Sequence, residues 1–276
     1  MQDTPKETTS NVRKTTLAKL GPTLPIGIYG SDGKLHRDLR HSKWVLKHDK
    51  LISRLRREYQ AANQFMWASV VVAAMYEQIG HHNMSDMKLE QKLAIISGMF
   101  FGDVMYAYMW LGRNTIGGNI LLNLPCNRCF KIIEKFPADL DTLEVMVCSD
   151  PTIERWSHDL NEPLTMGEMK IHSLELGPPM WSPLETAGDE EGLSEAETKA
   201  ALIQGALQPV DGMQVTEEML DEGLTKPDFE DLVTGINDNH IGPNLKVEDN
   251  CPLCKRDFVS AIDWSYDSFF GASSRS

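Results

Sequence analysis

The chain lacks three short signatures of common catalytic machineries. It has no Gly-x-Ser-x-Gly nucleophile elbow, no glycine-rich phosphate cradle and no His-Glu-x-x-His helix. Its eight histidines do not supply one by another route. His36, His41 and His48 fall in a basic N-terminal stretch, and His81-His82 sit where the pattern places a helix end, a position that favours a cation. Paired acids such as Glu190-Glu191 and Glu217-Glu218 read as solvated residues of a loop or helix, not as a general acid and base. No catalytic residue and no organic cofactor are therefore expected, and the chain does not read as an enzyme.

A clean apolar run long enough to span a bilayer is also missing. "AANQFMWASVVVAAMY" has 16 residues and includes Asn63 and Gln64. "LAIISGMFFGDVMYAYMWLG" is longer but holds Asp103 near its middle, where a bilayer centre would disfavour it by roughly 2.5–3.5 kcal/mol. Both read as buried helices, and no membrane insertion is expected. The first residues, "MQDTPKETTSNVRKTTLAKL", show no basic-then-apolar export pattern. Cysteine is scarce and odd in number, at five, so a disulfide framework is not indicated and a reducing, cytoplasmic setting is the expectation.

What is present is a strong charge asymmetry within a net of −13. Residues 1–60 carry 13 Lys/Arg against 6 Asp/Glu, whereas residues 185–231 carry 14 acidic residues against Lys199 and Lys226. An acidic chain is a poor candidate for wrapping nucleic acid, although the basic N-terminal third could meet an acidic partner. With 41% hydrophobic residues and a length of 276, the chain can bury a substantial core.

The hydrophobic pattern points to an α+β protein: a helical N-terminal half joined to a zinc-ribbon-like β unit that carries a mostly helical acidic insertion. Residues 1–20 read as a flexible tail. Residues 21–121 form a mainly helical domain, and residues 122–276 a ribbon-like domain with its acidic segment at about 185–240. "LPIGIYGSDGKLHRDLR" reads as extended chain turning at Asp32-Gly33. A helix is expected from about Lys47, where Leu51, Ile52, Leu55, Tyr59, Ala62 and Met66 recur at three- and four-residue steps. Another follows a cap at Ser85 or Asp86, and Asp103 is placed to cap a third that ends near Arg113. "FKIIEKF", "LEVMV" and "MKIHSLELGPPMW" favour strands, the last with Met169, Ile171, Ser173 and Glu175 sharing one face. Ser194 opens an acidic helix, and two more are expected near residues 216–222 and 226–239.

The chemically informative residues are cysteines. Cys126 and Cys129 form one Cys-x2-Cys turn, and Cys251 and Cys254 form another about 120 residues later. Two residues between sulfurs make a tight knuckle, and two knuckles supply a tetrahedron for one structural zinc per chain. Four thiolates on zinc carry a formal charge of −2. Arg128, Lys131, Lys255 and Arg256 stand beside the knuckles to offset it. A thioredoxin-like redox role is the rival reading, but strand-type residues follow Cys129 where that chemistry needs a helix N-terminus, and it leaves the second pair unexplained. Four thiolates also leave no open position for an activated water, so the metal is expected to fasten the chain. Closing so long a loop adds only about 0.6 kcal/mol per doubling of length, which makes the interval tolerable. Cys148, in "VMVCSD", reads as a small buried hydrophobe.

The order of these landmarks resembles a known family. "LPIGIYGSDGKLHRDLR", a helical block, "FFGDVMYAYMWLGRNTIGG", a first Cys pair, then Cys251-Pro252-Leu253-Cys254 and "DWSYDSFF" are similar to the baseplate-hub assembly proteins of T-even type contractile phage tails and related contractile injection systems. The first pair departs from a Cys-Pro-x-Cys form, since Pro125 precedes Cys126. The resemblance implies a non-catalytic structural or assembly role with other tail or baseplate-hub proteins as partners. The place implied is the bacterial host cytoplasm during assembly, or the tail baseplate of the virion. Trp264, Tyr266, Phe269 and Phe270 are candidate docking anchors, with packing against the ribbon as their alternative. A nucleic-acid-binding zinc-ribbon protein using the basic N-terminal third is the competing function.

Overall fold

The computed structural model describes residues 11–59, 62–152, 154–166, 169–188, 193–209 and 214–270 of an α+β protein. Two helices form its centre. Gln64–Met75 is apolar on nearly all sides, which drives a helix into the interior, and Phe65 and the run from Ala68 to Ala73 are buried. Asn63 caps it by accepting the Met66 N–H at 2.9 Å. Phe101–Ile116 is buried without a break from Gly102 to Gly112. Among the described residues no helix is long and apolar enough to cross a membrane. Leu46–Glu58 covers one side with Ile52 and Leu55 inward and its basic residues outward.

The start of the second central helix differs from the sequence reading. Asp103 does not cap it: the capping position is Phe100, and Asp103 lies inside the first turn, fully buried. Its two carboxylate oxygens accept the N–H groups of Ile26 and Gly27, both at 2.8 Å. The cause lies in the neighbouring strand Thr23–Tyr29. Its pairing with Leu35–His41 is interrupted between Thr23 and Ile28, which leaves those two donors in need of an acceptor. Burial pushes the Asp103 carboxyl up to about 6, against the opposing pull of the two N–H donors.

A four-stranded antiparallel sheet runs in the order Thr23–Tyr29, Leu35–His41, Tyr76–Ile79, His82–Asn83. The turn at Asp32-Gly33 closes its first hairpin, with the Gly30 N–H on the Lys34 carbonyl at 2.9 Å. His81-His82 are at a strand turn, not at a helix end. The preceding helix stops at Met75, and Gly80, at φ +56°, reverses the chain. The next helix, Leu89–Ser97, begins past Ser85 and Asp86 with Lys88 at its cap position. Asn83 and Ser85 are instead spent on the intervening turn, Asn83 Oδ1 accepting the Ser85 N–H at 3.2 Å.

The second decade of the chain is held, not free. Val12–Thr16 pairs antiparallel with Glu144–Cys148, which also pairs with Gly242–Pro243, and Leu17 is buried. The first ten residues of the expected tail lie outside the described residues. Cys148 is buried in this sheet, and burial pushes its thiol up to about 11.

A separate apolar cluster joins the hairpin Trp156–Met166/Met169–Leu176 to three acidic-surfaced helices, Glu195–Ala206, Glu217–Gly223 and Lys226–Asp238. The helices begin where Ser194, Thr216 and Thr225 cap them. The strict alternation expected over residues 169–176 does not hold. A register shift between Ile171 and Ser173 turns Ile171, Leu174 and Leu176 all into this core.

The C-terminal aromatics pack on the central helices and not on the ribbon, with Trp264 and Tyr266 half-buried. Phe269 and Phe270 are buried, with ring centroids 5.7 and 5.2 Å from Tyr108. Trp264 lies 5.2 Å from Phe65, and Tyr266 lies 5.8 Å from Trp67.

Candidate metal centre

Each Cys-x2-Cys pair tips a two-stranded hairpin. Asn119–Pro125 pairs with Ile132–Asp139, and Lys246–Asn250 pairs with Asp257–Ala261. Pro125 faces Ile132 and Asn250 faces Asp257, so the loops Cys126 to Lys131 and Cys251 to Arg256 have equal length. They also have equal geometry. Cys126 N–H donates to the Lys131 carbonyl at 3.0 Å, and Cys251 N–H to the Arg256 carbonyl at 2.9 Å. Phe130 N–H donates to the Cys126 carbonyl and Lys255 N–H to the Cys251 carbonyl, both at 2.8 Å. Phe130 and Lys255, each directly after the second cysteine of its pair, both take φ 60° in the left-handed region. The two knuckles are thus one motif used twice.

They face each other. The four Sγ atoms lie within 4.8 Å of one another, with Cys126 to Cys254 and Cys129 to Cys251 both at 4.0 Å. Zinc–sulfur bonds of about 2.3 Å in a tetrahedron give sulfur–sulfur edges of about 3.8 Å. The cluster therefore has the size that a four-coordinate ion requires, and the separations are far beyond a disulfide of about 2.05 Å. Among the described residues it is the group of His, Cys, Asp and Glu side chains that could hold a metal ion.

Bonds between the hairpins hold the knuckles in register. Arg128 Nε donates to the Asp257 carbonyl at 3.2 Å, and the Arg256 guanidinium to the Arg128 carbonyl at 2.8 Å. The Val259 N–H reaches Asn127 Oδ1 at 3.3 Å. Below the knuckles, Phe136 and Phe258 meet edge to face at 5.9 Å, and Leu124, Ile133 and Phe258 join the main core with Cys126 and Cys251. The sulfur cluster is anchored to the central helices, and the strand Asn119–Pro125 runs through the expected domain boundary at 121/122.

Local electrostatics favour thiolate at one end of the cluster. The Arg256 backbone N–H holds Cys254 down to about 6. Cys126 is also lowered: desolvation opposes this, but the N–H donors of Cys129 and Arg128 outweigh it. Cys129 moves the other way, up to about 11; the Lys131 N–H pulls it down, but burial and the neighbouring thiols prevail. Arg128, Lys131, Lys255 and Arg256 all surround the cluster from exposed positions.

No protein-family model, curated protein or solved structure matches this chain.

Proposed function

We propose that this is a non-catalytic structural or assembly protein whose distant segments are clasped by a zinc ion on Cys126, Cys129, Cys251 and Cys254. The observation that carries the reading is the convergence of four sulfurs from two equivalent knuckles at tetrahedral spacing. Four protein ligands complete the tetrahedron, so zinc there has no open site for water or substrate and serves as a fastener. Its chemistry when bound is to neutralise and hold the thiolates.

The assembly role rests on the resemblance in landmarks to baseplate-hub proteins of contractile tails, and the partners it implies are other hub or baseplate proteins. The experiment has two arms. Elemental analysis of the purified protein is expected to give one zinc per chain, lost in Cys251→Ser; absence of metal refutes the clasp, and a coloured iron centre refutes zinc. Co-expression with baseplate-hub components of a contractile tail is expected to give a complex that survives size exclusion. Failure of every hub component to co-elute refutes the assembly role while leaving the clasp intact.

Nucleic-acid binding is the second reading, favoured by one feature: Lys47, Lys50, Arg54 and Arg57 are exposed on the helix Leu46–Glu58. A salt-dependent gel shift with DNA or RNA, lost when these four become Glu, would replace the first reading.

A further inference from the structure

The zinc knuckles carry side chains that neither the fold nor the sulfur cluster uses. Among the described residues there are seven exposed large hydrophobics, and four of them lie on the two knuckle hairpins. Phe130 is 87% exposed, Ile132 and Leu253 are each 54% exposed, and Val259 is 42% exposed. Phe130 is the least expected. A bulky residue at φ 60° is disfavoured where glycine would fit freely, and its ring gains no burial in return. Arg128, Lys131, Lys255 and Arg256 are exposed in the two tip loops, which hold no acid, while Glu134, Glu248, Asp249 and Asp257 lie on the strands behind them.

The opposite chemistry occurs on the acidic helical unit. Its three helices enclose a groove of about 410 Å³ floored by Ile203, Leu220, Leu224 and Phe229. Asp221, Glu230 and Lys226 line its rim, and Glu230 is paired with Lys199 at 3.7 Å. The helix Glu217–Gly223 beside it, "EEMLDEG", has four acids and no base. An apolar knob within a basic tip and an apolar groove bordered by this acidic helix have the composition of two halves of one interface, with an aromatic at its centre.

We infer that the knuckle tip of one copy, led by Phe130, docks into the acidic groove of a second copy, so that the chain associates head to tail. Such a contact uses two different surfaces and extends into a ring or an open array. The inference is independent of the assembly reading, since it concerns contacts between identical chains.

Sedimentation velocity on the full, metal-loaded chain tests it. Mass should rise with concentration up to about 100 μM, the weak end of specific association. The rise should diminish between about 0.05 and about 0.5 M salt, because the rim charges are exposed. Phe130→Asp should weaken association by at least about 30-fold. Asp221→Lys combined with Ala196→Arg, both exposed positions in the groove, should do the same. Zinc content and circular dichroism of both variants should match the wild type. The decisive sample is a mixture of the two variants. Each retains the surface that the other has lost, so the mixture should form a dimer and nothing longer. A wild type that stays monomeric, a Phe130→Asp chain that still associates, or a mixture that stays monomeric would overturn the proposal.

Discussion

Phe269 occupies the space that any side chain on Gly112 would need. A Cβ built on Gly112 would fall 1.9 Å from Phe269 Cε1. The C-terminal helix Tyr266–Phe270 therefore closes over the central helix Phe101–Ile116 at a point where only hydrogen fits. Gly112→Ala should destabilise by about 1–3 kcal/mol through overpacking, despite the higher helix propensity of alanine. Phe269→Ala should cost about 3–5 kcal/mol from the cavity it leaves. The double variant should cost less than the sum, because the new methyl group enters the vacated space. Strict additivity in urea unfolding would mean that the two residues are not in contact.

The pH dependence of Asp103 has a definite sign. Its folded value of about 6 lies above the ordinary 3.8, so the native state holds a proton that the unfolded chain releases. Its contribution is favourable at low pH and is lost as pH rises through the window between about 4 and about 6. The gap corresponds to on the order of 3 kcal/mol. Asp103→Asn removes this titration and sets an amide N–H against one of the donors from Ile26 and Gly27. The stability advantage of the wild type over Asp103→Asn should therefore shrink as pH is raised from 4 to 7 in chemical denaturation. A growing advantage would show that the two N–H donors outweigh burial.

Legibility followed the range of the interaction. The sulfur set could be read because metal chemistry fixes ligand type and local spacing, and equal knuckles imply a shared ion however long the loop. The buried central helices could be read because their apolar character is local to each segment. Asp103 escapes capping rules, which look a few residues away, because its partners are 76 and 77 residues distant. The register shift in Met169–Leu176 hid the inward positions of Ile171 and Leu174, since alternation assumes an unbroken pleat. "DWSYDSFF" gave apolar content but not its seat, which depends on the small residue Gly112 on a distant helix.

Trp181 and Ser69 join two parts of the main core through a polar chain. The Trp181 indole N–H donates to Ser69 Oγ at 2.7 Å, and the Ser69 and Ser97 hydroxyls both donate to the Glu185 carboxylate. Trp181 and Ser69 are fully buried. Ser69→Ala should cost about 1–3 kcal/mol by leaving the indole N–H without an acceptor. Trp181→Phe should cost less on the Ser69→Ala background than on the wild type, since the orphaned donor is removed. Equal cost on both backgrounds would rule out the coupling.

Removing the metal should loosen the ribbon before it loosens the core. The strand Lys246–Asn250 is almost wholly exposed, with Val247 half-buried, so its hairpin is held to the core by Phe258, by Leu245 and Ile262 at its base, and by the residues flanking the sulfurs. The central helices Gln64–Met75 and Phe101–Ile116 draw their burial from each other and from the four-stranded sheet. Chelation should therefore speed amide exchange at Phe130, Cys126, Lys255 and Cys251, whose N–H groups close the knuckles, and along the hairpin strands. The amides of Val70 to Ala73 and Val104 to Leu111 should keep their protection. Loss of protection across these helices at the same chelator concentration would make the ion a support of the whole fold, and unchanged exchange at the knuckles would mean that it supports neither.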